Sequence, residues 1–283
     1  MSQKIIKYEE LKSKIIELIL KTSYVLPEDV YHCIENSIKH EESYLGISIL
    51  KKLIQNADIA REENIPICQD TGTAVFFVEM GEDVKIEGGF IKDAIFEATG
   101  QAYDKGYLRK SMVNDPIFDR TNTKTNLPPI IHFDLNKTDK LKIKFAPKGG
   151  GAENMSVLKM LKPLEGEDAI IKFAVETVIN AQGNACPPVI VGIGIGGNFE
   201  TSAILAKKAL FRKIGERNKN PEYAQLEKKI KDQVNKTGVG PQGIGGRITC
   251  LDVFIEYYQC HIASLPVAIN LNCHASRHGE IEL

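Results

Sequence analysis

Six cysteines are the residues in this chain best suited to chemistry, and their settings separate them into two groups: Cys33, Cys250 and Cys260 against Cys68, Cys186 and Cys273. Cys33 lies in a helical apolar pattern, VYHCIENSI. Cys250 and Cys260 lie in or beside strand-like apolar runs. A cysteine in such a run behaves as a small buried hydrophobe, so these three are expected in the core. The other three stand at breaks between regular elements. Cys68 sits in NIPICQDTGTAVFF between an X-Pro turn and a Thr-Gly turn, Cys186 in GNACPPVIVGIGIGG before two prolines, and Cys273 in VAINLNCHASRHG just past an apolar strand. Loops carried by rigid elements are where functional side chains concentrate. No CxxC pair occurs, so the close spacing of a structural zinc site and the compact run of a ferredoxin are both missing. On a cubane cluster, three dispersed thiolates would leave one iron without a protein ligand, a Lewis acid able to polarise a substrate oxygen. Spacing alone leaves two rivals open: an electron-transfer iron–sulfur protein with a fourth strong ligand, and a zinc-bound structural module completed by His261 or His274.

The elements that must position these loops are mixed in type. The first 65 residues read as helices: one with Leu11, Ile15, Ile16 and Ile19 at helical spacing, one starting at Pro27-Glu28-Asp29, and one over 43–63. Beyond them, 73–78, 130–134, 141–146, 189–195, 248–258 and 267–271 read as strands. The stretches 90–105, 152–161, 168–181 and 201–214 read as helices, and the charged stretch 218–236 as a solvated helix and loop. The expected fold is therefore α/β mixed. A helical N-terminal part, about 1–65, leads into an α/β part with mixed sheets, about 66–283, as one working domain.

Composition narrows the partners. A net charge of −1 gives no bulk attraction to nucleic acid or anionic membrane. No stretch approaches the ~18 uncharged apolar residues of a membrane span, and the N-terminus is charged from Lys4 without a signal peptide's apolar core. With thiols rather than disulfides expected, the reading is a cytoplasmic protein.

The segments ICQDTGTAVFF, PKGGGAENMS, ACPPVIVGIGIGGNFE and NLNCHASRHG, in that order, closely resemble the family of class I, iron–sulfur-dependent fumarate hydratase and L(+)-tartrate dehydratase α subunits. The resemblance runs across nearly the whole chain. It implies a [4Fe-4S] cluster held by Cys68, Cys186 and Cys273, with one iron open to a small dicarboxylic acid. It implies hydro-lyase chemistry, with fumarate and malate preferred and L(+)-tartrate the alternative. It also implies a separate β subunit that completes the site in an α2β2 assembly and supplies the catalytic base.

The same resemblance marks further site residues, each with a plainer reading beside it. Gln69 and Asp70 follow Cys68 and would meet substrate, while Asp70 could simply open an Asx turn. Arg109 would offer a dicarboxylate its fork; its neighbour Lys110 reads as a solvated charge. Gly150, in the Lys148-Gly-Gly-Gly151 turn, would lend a backbone N–H to a substrate carboxylate, with Glu153 and Asn154 read as caps of the following helix. His261 matches an active-site histidine and would otherwise be a core residue. His274 and Arg277 flank the last cysteine and would tune the cluster. GIGIGG at 192–197 looks like a dinucleotide fingerprint, but no second strand ending in an acid follows, so the glycines are read as packing. The glycine-rich run 238–247 is read as a mobile loop over the site or at a subunit interface.

Overall fold

A computed structural model describes residues 3–283. In chain order its elements are β1 (Lys4–Lys7), α1 (Tyr8–Tyr24), α2 (Glu28–Ser37), α3 (Tyr44–Glu63), β2 (Thr73–Gly81), β3 (Val84–Glu87), α4 (Ile91–Lys105), β4 (Ile130–Asn136) and β5 (Leu141–Lys148). They continue with α5 (Gly150–Glu153), β6 (Val157–Leu161), α6 (Gly166–Ala181), β7 (Val189–Gly196), α7 (Phe199–Ala209), α8 (Pro221–Asn235), β8 (Cys250–Tyr258), β9 (Leu265–Asn272) and β10 (Gly279–Glu282). The α/β mixture is as expected.

The chain forms two compact units. The first comprises Met1–Pro27, Ala57–Gly150 and Arg277–Leu283; the second comprises Glu28–Asn56 and Gly151–Ser276. The first unit holds a mixed sheet in the order β10-β5-β2-β4 and a parallel pair β1-β3. Its core joins Leu11, Ile15 and Ile19 of α1 to Phe76 and Val78 of β2, Ile143 and Phe145 of β5, and Ile95, Ala98 and Ala102 of α4. On β5 the residues Leu141, Ile143 and Phe145 are wholly buried while Lys142 and Lys144 are not, the alternation of a half-buried strand.

The second unit is built on the sheet β6-β9-β7-β8. Val191, Ile193 and Ile195 of β7 pack with Ile170, Ala174 and Val178 of α6 and Ile230 and Val234 of α8. The alternate residues of β7 are glycines, and α7 lies against them. A Cβ on Gly194 would stand 1.9 Å from the Ser202 carbonyl oxygen. The GIGIG run is thus a packing device that lets a helix backbone ride on a strand, as expected from the missing acidic strand.

Two expectations are corrected. Residues 152–161 are not a helix: the single turn α5 ends at Glu153, and β6 pairs antiparallel with β9 from Val157↔Ile269 to Leu161↔Leu265. Leu and Met suit either structure, and the open edge of β9 decides for strand. The N-terminal 65 residues are not wholly helical, because Lys4–Lys7 pairs in parallel with Val84–Glu87. The short strands β3 and β10 carry too few apolar residues to announce themselves.

Candidate functional site

Cys68 belongs to the first unit, in the turn that leaves α3 for β2. Buried Ile67 anchors this turn by donating its N–H to the Ser23 carbonyl at 3.2 Å. Cys68 is half-buried, and its sulfur accepts the Asp70 N–H at 3.4 Å. Gln69 is exposed, with its Oε1 3.7 Å from the Cys68 sulfur.

Asp70 ties this turn to the rest of the unit. Its Oδ1 accepts the Gly72 N–H at 2.9 Å, the Asx turn anticipated as its plainer role. Its Oδ2 accepts the Gly150 N–H at 2.8 Å. Its carbonyl accepts from Arg277 Nη2 at 2.9 Å. Gly150 therefore does act as a backbone donor, but here its acceptor is the chain's own carboxylate. Gly72 has φ +68°, and a Cβ there would meet the Lys148 backbone nitrogen at 2.5 Å, so no other residue fits. Buried Tyr103 donates to the Thr71 carbonyl at 2.6 Å, and buried Asn126 donates to the Gly72 carbonyl at 3.0 Å. Burial pushes the Tyr103 phenol well above its ordinary range, so it stays a donor. Thr71 in turn donates to the Arg109 carbonyl at 2.7 Å, which fixes the backbone of the stretch after α4 while the Arg109 residue remains exposed. Lys110 pairs with Asp104 at 2.7 Å, a surface contact as expected.

Cys186 and Cys273 belong to the second unit, and topology makes them neighbours. β7 and β9 are antiparallel with Ile190 opposite Asn272, so the start of one strand lies beside the end of the other. Cys186 precedes β7 and Cys273 follows β9. Between them, the His274 N–H donates to the Cys186 carbonyl at 3.2 Å. Both cysteines are half-buried. Cys186 has φ 50° and ψ 62°, a left-handed position closing the 3₁₀ turn Gln182–Ala185.

The other cysteines divide differently from expectation. Cys250 is buried in β8, and desolvation pushes its thiol far above the ordinary range. Cys33 is half-buried on α2, its thiol likewise raised by burial. Cys260 is not a core residue. It is exposed in the turn after β8, where the chain has left the sheet, and its sulfur contacts the Ser264 carbonyl at 3.3 Å. His261 shares that turn. It is exposed, and its Nδ1 accepts the Ala263 N–H at 3.1 Å.

The glycine-rich run is anchored rather than free at both ends. The Gly240 N–H donates to Thr249 at 2.9 Å. Buried Glu41 accepts N–H bonds from Glu42, Ser43, Arg247 and Ile248 at 2.8–3.0 Å. Burial raises the Glu41 carboxyl, and these donors together outweigh it, holding it below the ordinary carboxylate range. Glu153 does not serve as a helix cap. It pairs with Lys207 and accepts from Asn270 at 3.1 Å. Tyr103, Asn126, Glu41 and Gln242 escaped sequence reading. Only Gln242 carried a signal, a lone amide amid glycines.

Among the described residues, no three His, Cys, Asp or Glu side chains are gathered around one point as ligands of a single metal ion. A cubane does not ask for that, since its thiolates bind separate irons.

Sequence comparison supplies the family. Residues 12–282 match fumarate hydratase (Fumerase). The chain belongs to the fumarate hydratase family. A Methanocaldococcus jannaschii protein provisionally named L(+)-tartrate dehydratase subunit alpha is 43% identical, covering 95% of this chain and 96% of its own length. The L(+)-tartrate dehydratase alpha subunits of Escherichia coli K12 and Shigella boydii are each 34% identical, covering 96% of this chain and 92% of their own. Membership in the fumarate hydratase family carries hydro-lyase chemistry, the addition or removal of water. No helix among the described residues is long and apolar enough to cross a membrane.

Proposed function

We propose that this chain is the α subunit of a [4Fe-4S]-dependent hydro-lyase acting on a small hydroxy dicarboxylic acid. Sequence reading preferred malate and fumarate. The names of the relatives turn that preference to L(+)-tartrate, with malate second. The observation that carries the proposal is similarity over nearly the full length of both chains.

The donor set suits the cluster. Cys68, Cys186 and Cys273 are half-buried thiols, soft ligands that iron–sulfur centres take. The bond from the Asp70 N–H to Cys68 is the kind that tunes such a sulfur. When bound, the cluster would supply a Lewis-acidic iron for the departing hydroxyl.

The remaining steps fall to protein groups. Arg109, exposed on a tethered backbone, would grip a carboxylate as a bidentate fork. Gln69 would donate an amide N–H to the substrate. Asp70 would order both the Cys68 turn and the Gly150 amide, and a substrate carboxylate at Gly150 would have to displace it. His261 would orient substrate or relay a proton from its exposed turn. A separate β subunit, implied by the relatives' naming as alpha subunits, would bring the base, and the assembly would work in the cytoplasm.

The test is an anaerobic assay of the reconstituted chain with its β subunit against L-tartrate, malate and fumarate. Water loss from L-tartrate with the highest kcat/KM supports the reading. Higher kcat/KM for malate restores the fumarate assignment, and inertness toward all three overturns it.

A further inference from the structure

The glycine-rich run 238–247 ends in contacts that a mobile lid would not make. Gln242 stands at φ 54° and ψ 17°, in the left-handed region, between Gly240 and Gly243. An L side chain in that region costs roughly 1 kcal/mol, and glycine would hold the backbone there without strain. A glutamine therefore needs a use for its side chain. Its backbone N–H donates to the Pro187 carbonyl at 2.7 Å, and its Nε2 donates to the same oxygen at 3.0 Å. The same Nε2 stands 3.2 Å from His274 Nδ1. One amide thus touches the residue after Cys186 and the residue after Cys273.

The rest of the run serves as a strut for that amide. Thr249 takes the Gly240 N–H at one end, and Glu41 collects the Arg247 and Ile248 N–H groups at the other. The amide chemistry is specific. Pro187 offers a carbonyl oxygen and cannot donate, so the contact requires a donor at Nε2. His274 Nδ1 also stands 3.1 Å from the Cys186 carbonyl oxygen, so the ring nitrogen that meets the amide reaches the Cys186 segment as well.

We infer that Gln242 is a positioning residue that clasps the Cys186 and Cys273 segments and holds their two thiols in fixed mutual register. The inference rests on the cluster reading only for what the two thiols hold; the clasp itself belongs to the chain alone.

The experiment is native-state alkylation of the reduced, metal-free full chain with iodoacetamide, each cysteine's rate read by peptide mass spectrometry. Exposed Cys260 gives the reference rate and Cys68 the internal control. Gln242→Gly removes the clasp while relieving the backbone. Gln242→Glu keeps shape and size but sets an oxygen against the Pro187 carbonyl, so a role in packing alone would survive it. Both variants should speed Cys186 and Cys273 about tenfold over wild type, the scale of one lost hydrogen bond, with Cys68 unchanged. Wild-type rates in Gln242→Glu would overturn the inference. So would a uniform rise that includes Cys68 and Cys250, which reports general loosening. Because the labelling uses no iron, it stands whether or not the chain takes up a cluster. Failure of the wild-type chain to bind iron and sulfide would defeat the proposed function alone.

Discussion

The backbone N–H of His274 donates to the carbonyl of Cys186 at 3.2 Å, joining two turns that lie 88 residues apart in sequence. This bond follows from the antiparallel pairing of β7 with β9, which brings the entry of one strand to the exit of the other. Two of the three candidate ligands are therefore set side by side by sheet register, and their loops inherit the rigidity of a fully buried strand.

Asp70 should matter to stability apart from any contact with substrate. Its carboxylate accepts the Gly72 and Gly150 amides, and Asp70→Ala removes both bonds. A loss of about 1.5–3 kcal/mol is expected in urea unfolding of the metal-free chain. Unchanged stability would leave Asp70 a purely catalytic group.

Gly194→Ala should disrupt the second unit. The added methyl would stand 1.9 Å from the Ser202 carbonyl oxygen, so α7 must move off β7. The expected cost is about 2–3 kcal/mol, as for overpacked cores, read as a lower midpoint of thermal unfolding. A variant as stable as wild type would refute the packing role of the GIGIG run.

Glu41 predicts an acid-dependent loss of stability. Its native carboxyl is held below the ordinary range, so the unfolded chain binds the proton more readily. Its contribution is fully present above the unfolded value of about 4.3 and is lost as pH falls through the lower native value. Glu41→Gln should flatten that part of the pH–stability curve measured by urea unfolding. The same slope in both proteins would contradict this.

Tyr103→Phe deletes one buried bond to the Thr71 carbonyl. A cost of about 0.5–1.5 kcal/mol is expected. Because burial keeps the phenol protonated, the difference should not change with pH between 5 and 9, as differential scanning calorimetry can check.

The legible parts of this molecule were local in origin. α4 and β7 follow from apolar spacing, and β7's glycines revealed their packing role because no acidic strand came after them. Cys68, Cys186 and Cys273 were separable from Cys250 because each stands at a chain break. The failures were non-local. Val157–Leu161 became a strand because β9 had an open edge, which five residues of Val, Leu, Lys and Met cannot announce. Cys260 looked like a core residue because it follows the apolar run of β8, yet the sheet ends two residues before it. Glu41 reaches Arg247 and Ile248 across more than 200 positions, as 206 and 207 separations show, and nothing near Glu41 signals that.

The most direct measurement is iron and acid-labile sulfide per chain after anaerobic reconstitution, made on six single Cys→Ser variants. Wild type should hold about four of each, the content of one cubane. Cys68→Ser, Cys186→Ser and Cys273→Ser should lose most of both, whereas Cys33→Ser, Cys250→Ser and Cys260→Ser should match wild type. Full iron and sulfide in Cys186→Ser, or zinc without sulfide in wild type, would contradict the account.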